Sequence, residues 1–389
     1  MLSYHPAVAE NQPTNKNRMT SELSNFAARL LPFLRDAARQ AQGEKFNELA
    51  LELFALQYKS NAAYRTICGS RGLTPRVAEH WTQIPAVPAA AFKELELTCL
   101  PPDERTFVFH SSGTTGQKPS RHFHNAESLA VYEASLWIWF KKNLFSNSGL
   151  RMAACELLAL TPPPELVPHS SLIRMFETVR QKMGGASRTT FPGKLAVDGS
   201  WALDFDVVIA ALSASQQPAT GNPQLILGTA FSFVHLLDFL EGKNLRFNLP
   251  AGSRVMETGG YKNRSRSMPK AELHALITER LGVQPENIVC EYGMSELSSQ
   301  AYNLRVRSAE RGIRSFHFPP WARVQIVSPE TGREVAEGET GLIRVFDLAN
   351  VFSVMAIQTE DLGVRRGGGF ELVGRAEFSE PRGCSLMTA

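Results

Sequence analysis

The stretch "VFHSSGTTGQKPSRHFHN", residues 108–125, decides how the rest of the chain is read. "RTFVFH" (105–110) is a short β-rich run, and every position from Ser111 to Gly116 is a hydroxyl residue or glycine, with Lys118 soon after. So polar a segment cannot be core, and so particular a one is no linker. Backbone N–H groups in a glycine-rich turn, joined by Ser and Thr hydroxyls, form a concave donor surface suited to phosphate oxygens. Ser111, Ser112, Gly113, Thr114, Thr115 and Gly116 offer that surface, and Lys118 adds a point charge. A P-loop needs Gly-x-x-x-x-Gly-Lys-Ser/Thr, whereas here Gly113 and Gly116 are three apart and Gln117 precedes the lysine. The competing reading is a plain polar surface turn.

Working outward, 389 residues with 43% hydrophobic content suffice for one large α/β domain or two lobes. The apolar run Leu136–Phe140 stops at Lys141 and Lys142, far short of the roughly 20 residues a membrane span needs. Residues 1–20 are polar, contain Pro6 and Pro13, and are expected to be disordered rather than to form a secretory signal. Cys68, Cys99, Cys155, Cys290 and Cys384 are scattered and odd in number, which argues against a disulfide framework or zinc site and favours a reducing, cytoplasmic setting. A net charge of +3 without a basic block gives nucleic acid no support as a partner.

Phe46, Leu49, Ala50, Leu53 and Phe54 recur at helical spacing, so an amphipathic helix is expected there. "IPAVPAAAF" (84–92) reads as an extended connector and "LTPPPELVPHSS" (160–171) as a loop. "DVVIAAL" (206–212) and "PQLILGTAF" (223–231) read as buried strands, and "PKAELHALITERLG" (269–282) as a helix closed by Gly282. This alternation favours an α/β fold with a mostly parallel sheet flanked by helices. After Pro319 the runs "ARVQIVS", "GLIRVFDL" and "GFELVGR" point to a smaller β-rich lobe. The expected division is a core over 21–318, a β-rich lobe over 319–374 and a tail over 375–389 carrying Cys384.

Downstream of the loop lie "METGGYKNR" (256–264), "EYGMSEL" (291–297), "GETGLIRV" (338–345), "TEDLG" (359–363) and "VGRAEFSEPRGC" (373–384). In this order they resemble the core motifs of adenylate-forming ligases, which convert a carboxylic acid and ATP into an acyl-AMP. More closely, "FNELALELFALQY", "IPAVPAAAFK", "SSGTTGQKPSRHFH", "TGGYK", "EYGMSELSSQAY", "TEDLG" and "RGCSL" are similar to the acyl-protein synthetases of the LuxE type, from about residue 46 onward. The resemblance implies that the 111–118 loop closes over the β- and γ-phosphates and that Gly259, Gly260 and Tyr261 flank the adenine. It also implies that Tyr292, Gly293, Met294 and Ser295 lie beneath the adenosine, that Glu296 holds Mg²⁺, that Asp361 takes the ribose hydroxyls and that Arg375 faces ribose or phosphate. Read singly, Glu296 is equally a helix-start carboxylate and Asp361 a turn cap.

Two departures from the superfamily pattern stand out. The order Lys118-Pro119 reverses the usual Pro-Lys, and the chain stops 14 residues after Arg375, so the superfamily's mobile C-terminal domain is expected to be absent. Cys384 lies nine residues past Arg375. An extended tail of that length reaches about 30 Å, enough to bring a thiol into a pocket. The resemblance implies that Cys384 carries the acyl group as a thioester, with Arg382 favouring the thiolate; a bare tail thiol with no role is the alternative. The four other cysteines read as small core residues, and His110, His122, His124 and His169 as equally structural or catalytic. "HSSLIRMF" (169–176) and "GTAFSFVHLLDF" (228–239) are candidates for the wall of an acyl pocket. An acyl reductase is the implied partner. Two further readings stay open: an acyl- or aryl-CoA or carrier-protein ligase, and a non-catalytic nucleotide-binding scaffold.

Overall fold

A computed structural model of the chain describes residues 21–38, 43–111, 118–145, 155–184, 189–195, 201–216, 221–259, 268–305 and 314–376. Helices α1 (Glu22–Ala37), α2 (Gly43–Ser60) and α3 (Ala62–Ser70) lead into the short strand β1 (Val87–Pro88), α4 (Ala91–Glu94) and the hairpin of β2 (Phe107–His110) and β3 (Arg121–His124). Then come α5 (Ala126–Phe145), β4 (Glu156–Ala159), α6 (Ser171–Lys182), β5 (Thr189–Thr190), the small pair β6 (Gly193–Leu195) and β7 (Trp201–Leu203), and α7 (Phe205–Ser215). The chain continues through β8 (Gln224–Thr229), α8 (Ala230–Gly242), β9 (Arg254–Thr258), α9 (Lys270–Leu281) and β10 (Ile288–Tyr292). It ends in β11 (Ala301–Arg305), β12 (Arg314–His317), β13 (Ala322–Val327), β14 (Thr340–Asp347), β15 (Ala356–Arg366) and β16 (Gly369–Arg375).

One sheet runs in the order β13-β14-β15-β16-β12-β11-β10-β9-β8-β4-β5, with β1 added in parallel to β15. From β5 to β10 the neighbours are parallel, and from β10 to β13 they are antiparallel. Successive residues of a parallel strand point to opposite faces and both are covered by helices. Leu157, Leu225, Leu227, Met256 and Val289 accordingly join a core with Phe140 and Phe176 of α5 and α6. Their neighbours Leu158, Ile226, Val255 and Ile288 join a second core with Phe233, Leu237, Leu273 and Ile277 of α8 and α9.

The mixed α/β architecture agrees with the sequence reading, and so do the helices over 46–54 and 269–282. Gly282 sits in the left-handed region at φ 70° and its N–H bonds Thr278 O. Residues 206–212 depart from it: they belong to α7, not to a strand. Asp204 caps the helix by accepting from the Val207 N–H, Val208 and Leu212 are buried four apart, and Phe205 stacks on Phe239 of α8 at 4.2 Å. Six consecutive apolar residues, Val207 to Leu212, carry no period, so only the cap and the tertiary face decide. Of the two candidate pocket walls, Met175 and Phe176 of 169–176 pack into one core, and Phe233 and Val234 of 228–239 pack into the core across the sheet. The β-rich segment after Pro319 extends the same sheet, since β16 bonds β12 at Phe316 and Phe370. Expectations for residues 1–20 and 377–389, Cys384 included, lie outside the described residues.

Candidate active site

The antiparallel register of β2 and β3 pairs His110 with Arg121, so the ends of the glycine-rich loop leave the hairpin side by side. Ser111 Oγ accepts from the Ser120 N–H at 3.0 Å and closes the loop's base. Lys118 at its descending end faces Glu94 at 3.2 Å, with both side chains more than half exposed. An exposed pair of this kind contributes at most about 1 kcal/mol, so the ammonium is free to turn toward a stronger anion.

Imidazoles support the hairpin from below. His122 donates from Nδ1 to Ser295 O at 2.9 Å, and complete burial pushes its pKa down to about 4. His124 lies 4.3 Å from it, contacts Ser128 Oγ through Nδ1, and is held below its ordinary value by burial. His110 donates its backbone N–H to His169 O, and His169 Nδ1 donates to Val108 O. Burial thus favours the neutral form of both His122 and His124.

β10 delivers the next segment. The Tyr292 hydroxyl donates to Asp361 Oδ2 at 2.8 Å. Asp361 stands opposite Arg375 in the β15–β16 ladder, and the Arg375 guanidinium lies 3.3 Å from Glu360 Oε2. Burial raises the Asp361 pKa, while the Tyr292 hydroxyl and Arg375 oppose the rise. Ser295 Oγ donates to His110 O at 3.2 Å, which ties this turn to the hairpin. Glu296 is 4% exposed, and its backbone carbonyl accepts from Asn350 Nδ2. Burial raises its pKa, and Ser120, Lys93 and Arg375 act against the rise. The Ser120 hydroxyl beside its carboxyl is buried and falls short of a well-formed hydrogen bond. Gly259 (φ 68°) ends β9, and its carbonyl accepts from Lys270 Nζ at 3.0 Å.

A family model described as "Acyl-protein synthetase, LuxE" matches residues 11–389. The chain belongs to this family. Among curated relatives, a long-chain-fatty-acid–luciferin-component ligase of Aliivibrio fischeri is 23% identical over 368 residues, spanning 90% of this chain and 89% of the relative. A protein of the same name from Vibrio harveyi is 23% identical over 362 residues, spanning 89% of this chain and 88% of the relative. Among solved structures, an open conformation of 2-hydroxyisobutyryl-CoA ligase in complex with 2-HIB-AMP and CoA superposes with a TM-score of 0.61. At 14% identity, over 85% of this chain and 69% of that one, the likeness is one of fold.

For this LuxE-family chain, the structure brings Ser111, Lys118, Tyr292, Gly293, Met294, Ser295, Glu296, Asp361 and Arg375 onto the β2–β3 hairpin base, the end of β10 and the turn after it, the middle of β15 and the end of β16, with Gly259 just past the neighbouring end of β9. Ser112, Gly113, Thr114, Thr115, Gly116, Gly260, Tyr261 and Cys384 lie outside the described residues. Sequence reasoning passed over Ser120, Glu291 and Glu257. A serine after a proline and a glutamate inside a strand carry no local signal, and their burial is a tertiary fact. Cys68, Cys155 and Cys290 are buried and Cys99 partly so, as expected of core residues. Burial raises the thiol pKa of all four.

Proposed function

We propose that this protein activates a carboxylic acid, of the long-chain fatty class to judge from its relatives, with ATP and then carries the acyl group on Cys384. The observation that supports this most directly is the meeting of the hairpin base with Ser295 and Glu296, next to the Tyr292–Asp361 pair. The acid's carboxylate oxygen attacks the α-phosphorus, the bond to the bridging oxygen breaks, and pyrophosphate leaves. The Cys384 thiolate then attacks the acyl carbon, AMP leaves, and the thiol's proton passes to solvent. Asp361 accepts the ribose hydroxyls, Arg375 and Lys118 offset charge gathering on the phosphates, and the loop N–H groups hold the phosphate oxygens.

Among the described residues no cluster of three or more His, Cys, Asp or Glu could hold a metal. A magnesium ion shared with substrate phosphates needs less from the protein, and Glu296 with the neighbouring Ser120 hydroxyl supplies hard oxygen donors of the right kind. Bound there, magnesium would neutralise phosphate charge. No helix among the described residues is long and apolar enough to cross a membrane. We place the reaction in the reducing cytoplasm, with an acyl reductase as recipient of the thioester. Replacing Cys384 by Ser tests the reading: acid-dependent ATP–pyrophosphate exchange survives, while covalent labelling by radioactive fatty acid disappears. Labelling that persists overturns the Cys384 assignment, rapid acyl-CoA formation by the variant favours a CoA ligase, and no exchange with any acid overturns adenylation.

A further inference from the structure

We propose that Glu291 is a positioning residue that locks the end of β9 at Thr258 and Gly259 and the segment 292–296 into one arrangement. The inference rests on the nucleotide reading above and adds to it a residue that the reading does not use. In the parallel β9–β10 pair, Glu291 stands opposite Thr258. Strand alternation turns Tyr292 toward Asp361 and Glu291 to the other face. There the Glu291 side chain is 5% exposed and accepts a hydrogen bond from Thr258 Oγ1. Thr258 is the residue before Gly259, so the carboxyl grips the very end of β9.

Its other oxygen governs Gly293. This glycine is not among those with positive φ, so backbone freedom does not explain it. Space does. A Cβ at 293 would lie 2.4 Å from Glu291 Oε1 and 3.4 Å from Gln300 Cγ, and real Cβ atoms essentially never approach an oxygen so closely. The carboxyl thus occupies the volume that a side chain at 293 would need, and the tight passage of the backbone from Tyr292 to Met294 depends on it. One side chain therefore sets the end of β9 and the turn after β10 together.

The titratable groups that act on Glu291 are Tyr132 of α5 and Tyr302 of β11, and, from across the sheet, Glu257 of β9, Lys270 of α9, and Cys290 and Tyr292 of its own strand. Burial pushes its pKa up to about 7; Glu257 adds to the rise, and the Thr258 hydroxyl and Lys270 oppose it. Below that value Glu291 is neutral. Above it, a second buried anion stands across the sheet from Glu257, close to a site for a polyanion, so nucleotide affinity is expected to fall as pH rises through about 7.

Equilibrium binding of Mg-ATP to the full chain tests this, with ATP and acid KM values measured alongside. Glu291→Gln keeps the shape and the acceptor for Thr258 and stays neutral. It is expected to match the wild type at pH 6 and to lack the wild type's weakening, about threefold, between pH 6 and pH 8. Gly293→Ala is expected to weaken Mg-ATP binding about tenfold with little change in acid KM. Glu291→Ala, which removes the grip on Thr258, is expected to weaken Mg-ATP binding as well, and combined with Gly293→Ala it costs less than the sum of the two, because the contested space is vacated. A Glu291→Ala variant that binds as the wild type does, a double variant that loses the full sum, or a Glu291→Gln curve that follows the wild type between pH 6 and pH 8, overturns the proposal. A wild-type chain that does not bind Mg-ATP overturns the nucleotide reading instead.

Discussion

The ring and the hydroxyl of Tyr292 serve different neighbours. The ring packs against Phe316, Phe318 and Phe370 at 5.3 to 6.3 Å, and the hydroxyl donates to Asp361. Burial, reinforced by Asp361, raises the phenol's pKa well above its usual value, so it stays a donor at every working pH. Tyr292→Phe removes only that donor. Asp361 then loses a group that was holding its pKa down, and a carboxylate that must be ionised to accept ribose hydroxyls protonates at higher pH. In pyrophosphate exchange between pH 5 and 8, the acid limb of kcat/KM for ATP is expected to move upward. ATP KM rises roughly 10- to 100-fold, the size of a hydrogen bond to a charged group. An unmoved acid limb overturns the role given to this pair. The motifs carrying Tyr292, Glu296 and Asp361 stood out in the sequence as polar residue types in a fixed order, and the structure brings these residues to neighbouring elements. Glu291 did not stand out, because a glutamate in a strand reads as a solvent-facing position until its neighbours are known.

At the scale of elements, the start of α9 is fastened to the end of β9. Glu257 is fully buried, accepts from Lys270 Nζ, and lies 3.2 Å from His274 Nε2. Burial works to raise its pKa, but His274 and Lys270 outweigh it and leave the carboxyl below the ordinary range. A lowered folded-state pKa means stability that is present above the ordinary carboxylate value near 4.5 and lost as pH falls through the folded one. Lys270→Met removes part of that support and frees the Gly259 carbonyl. The expected loss in urea unfolding at pH 7 is about 1–3 kcal/mol, less than for a fully buried pair because Lys270 is 38% exposed. The loss shrinks toward pH 4, and ATP KM rises with it. A loss that is the same at pH 4 and pH 7 overturns the ion-pair account. α9 itself was legible because helical periodicity and a closing glycine coincide. α7 was not, since its apolar run is compatible with either period. The pairing of β1 with β15 was also hidden, because a two-residue strand has no pattern and its partner lies some 270 residues on.

Across the whole molecule, the β-rich segment is bound both to the sheet and to the N-terminal helices. Gln57 of α2 is fully buried; its Nε2 donates to Asn350 O at 2.7 Å and Val351 O at 3.2 Å, and its Oε1 accepts from the Met355 N–H at 3.0 Å. Asn350 in turn donates to Glu296 O, so α2 reaches the candidate site through two side chains. Thr98 and Leu97 bond Phe352 and Ser353 from the same side, and β1 adds to β15. A lobe held by backbone pairing at β12–β16 and by buried side chains on its other flank does not unfold alone. Scanning calorimetry is expected to show one transition, although a change of sequence texture near Pro319 suggests two units. Gln57→Ala leaves the Val351 carbonyl and the Met355 N–H buried without this partner, which costs about 2–4 kcal/mol, while Asn350 O keeps the Ser353 N–H. It should shift that single transition downward as a whole. Saturating Mg-ATP shifts it back, by about 2.7 kcal/mol at a hundred times Kd, in the variant as in the wild type. Two transitions, with only one responding to Gln57→Ala, would show that the β-rich segment folds by itself and that the route from α2 to Glu296 carries no coupling.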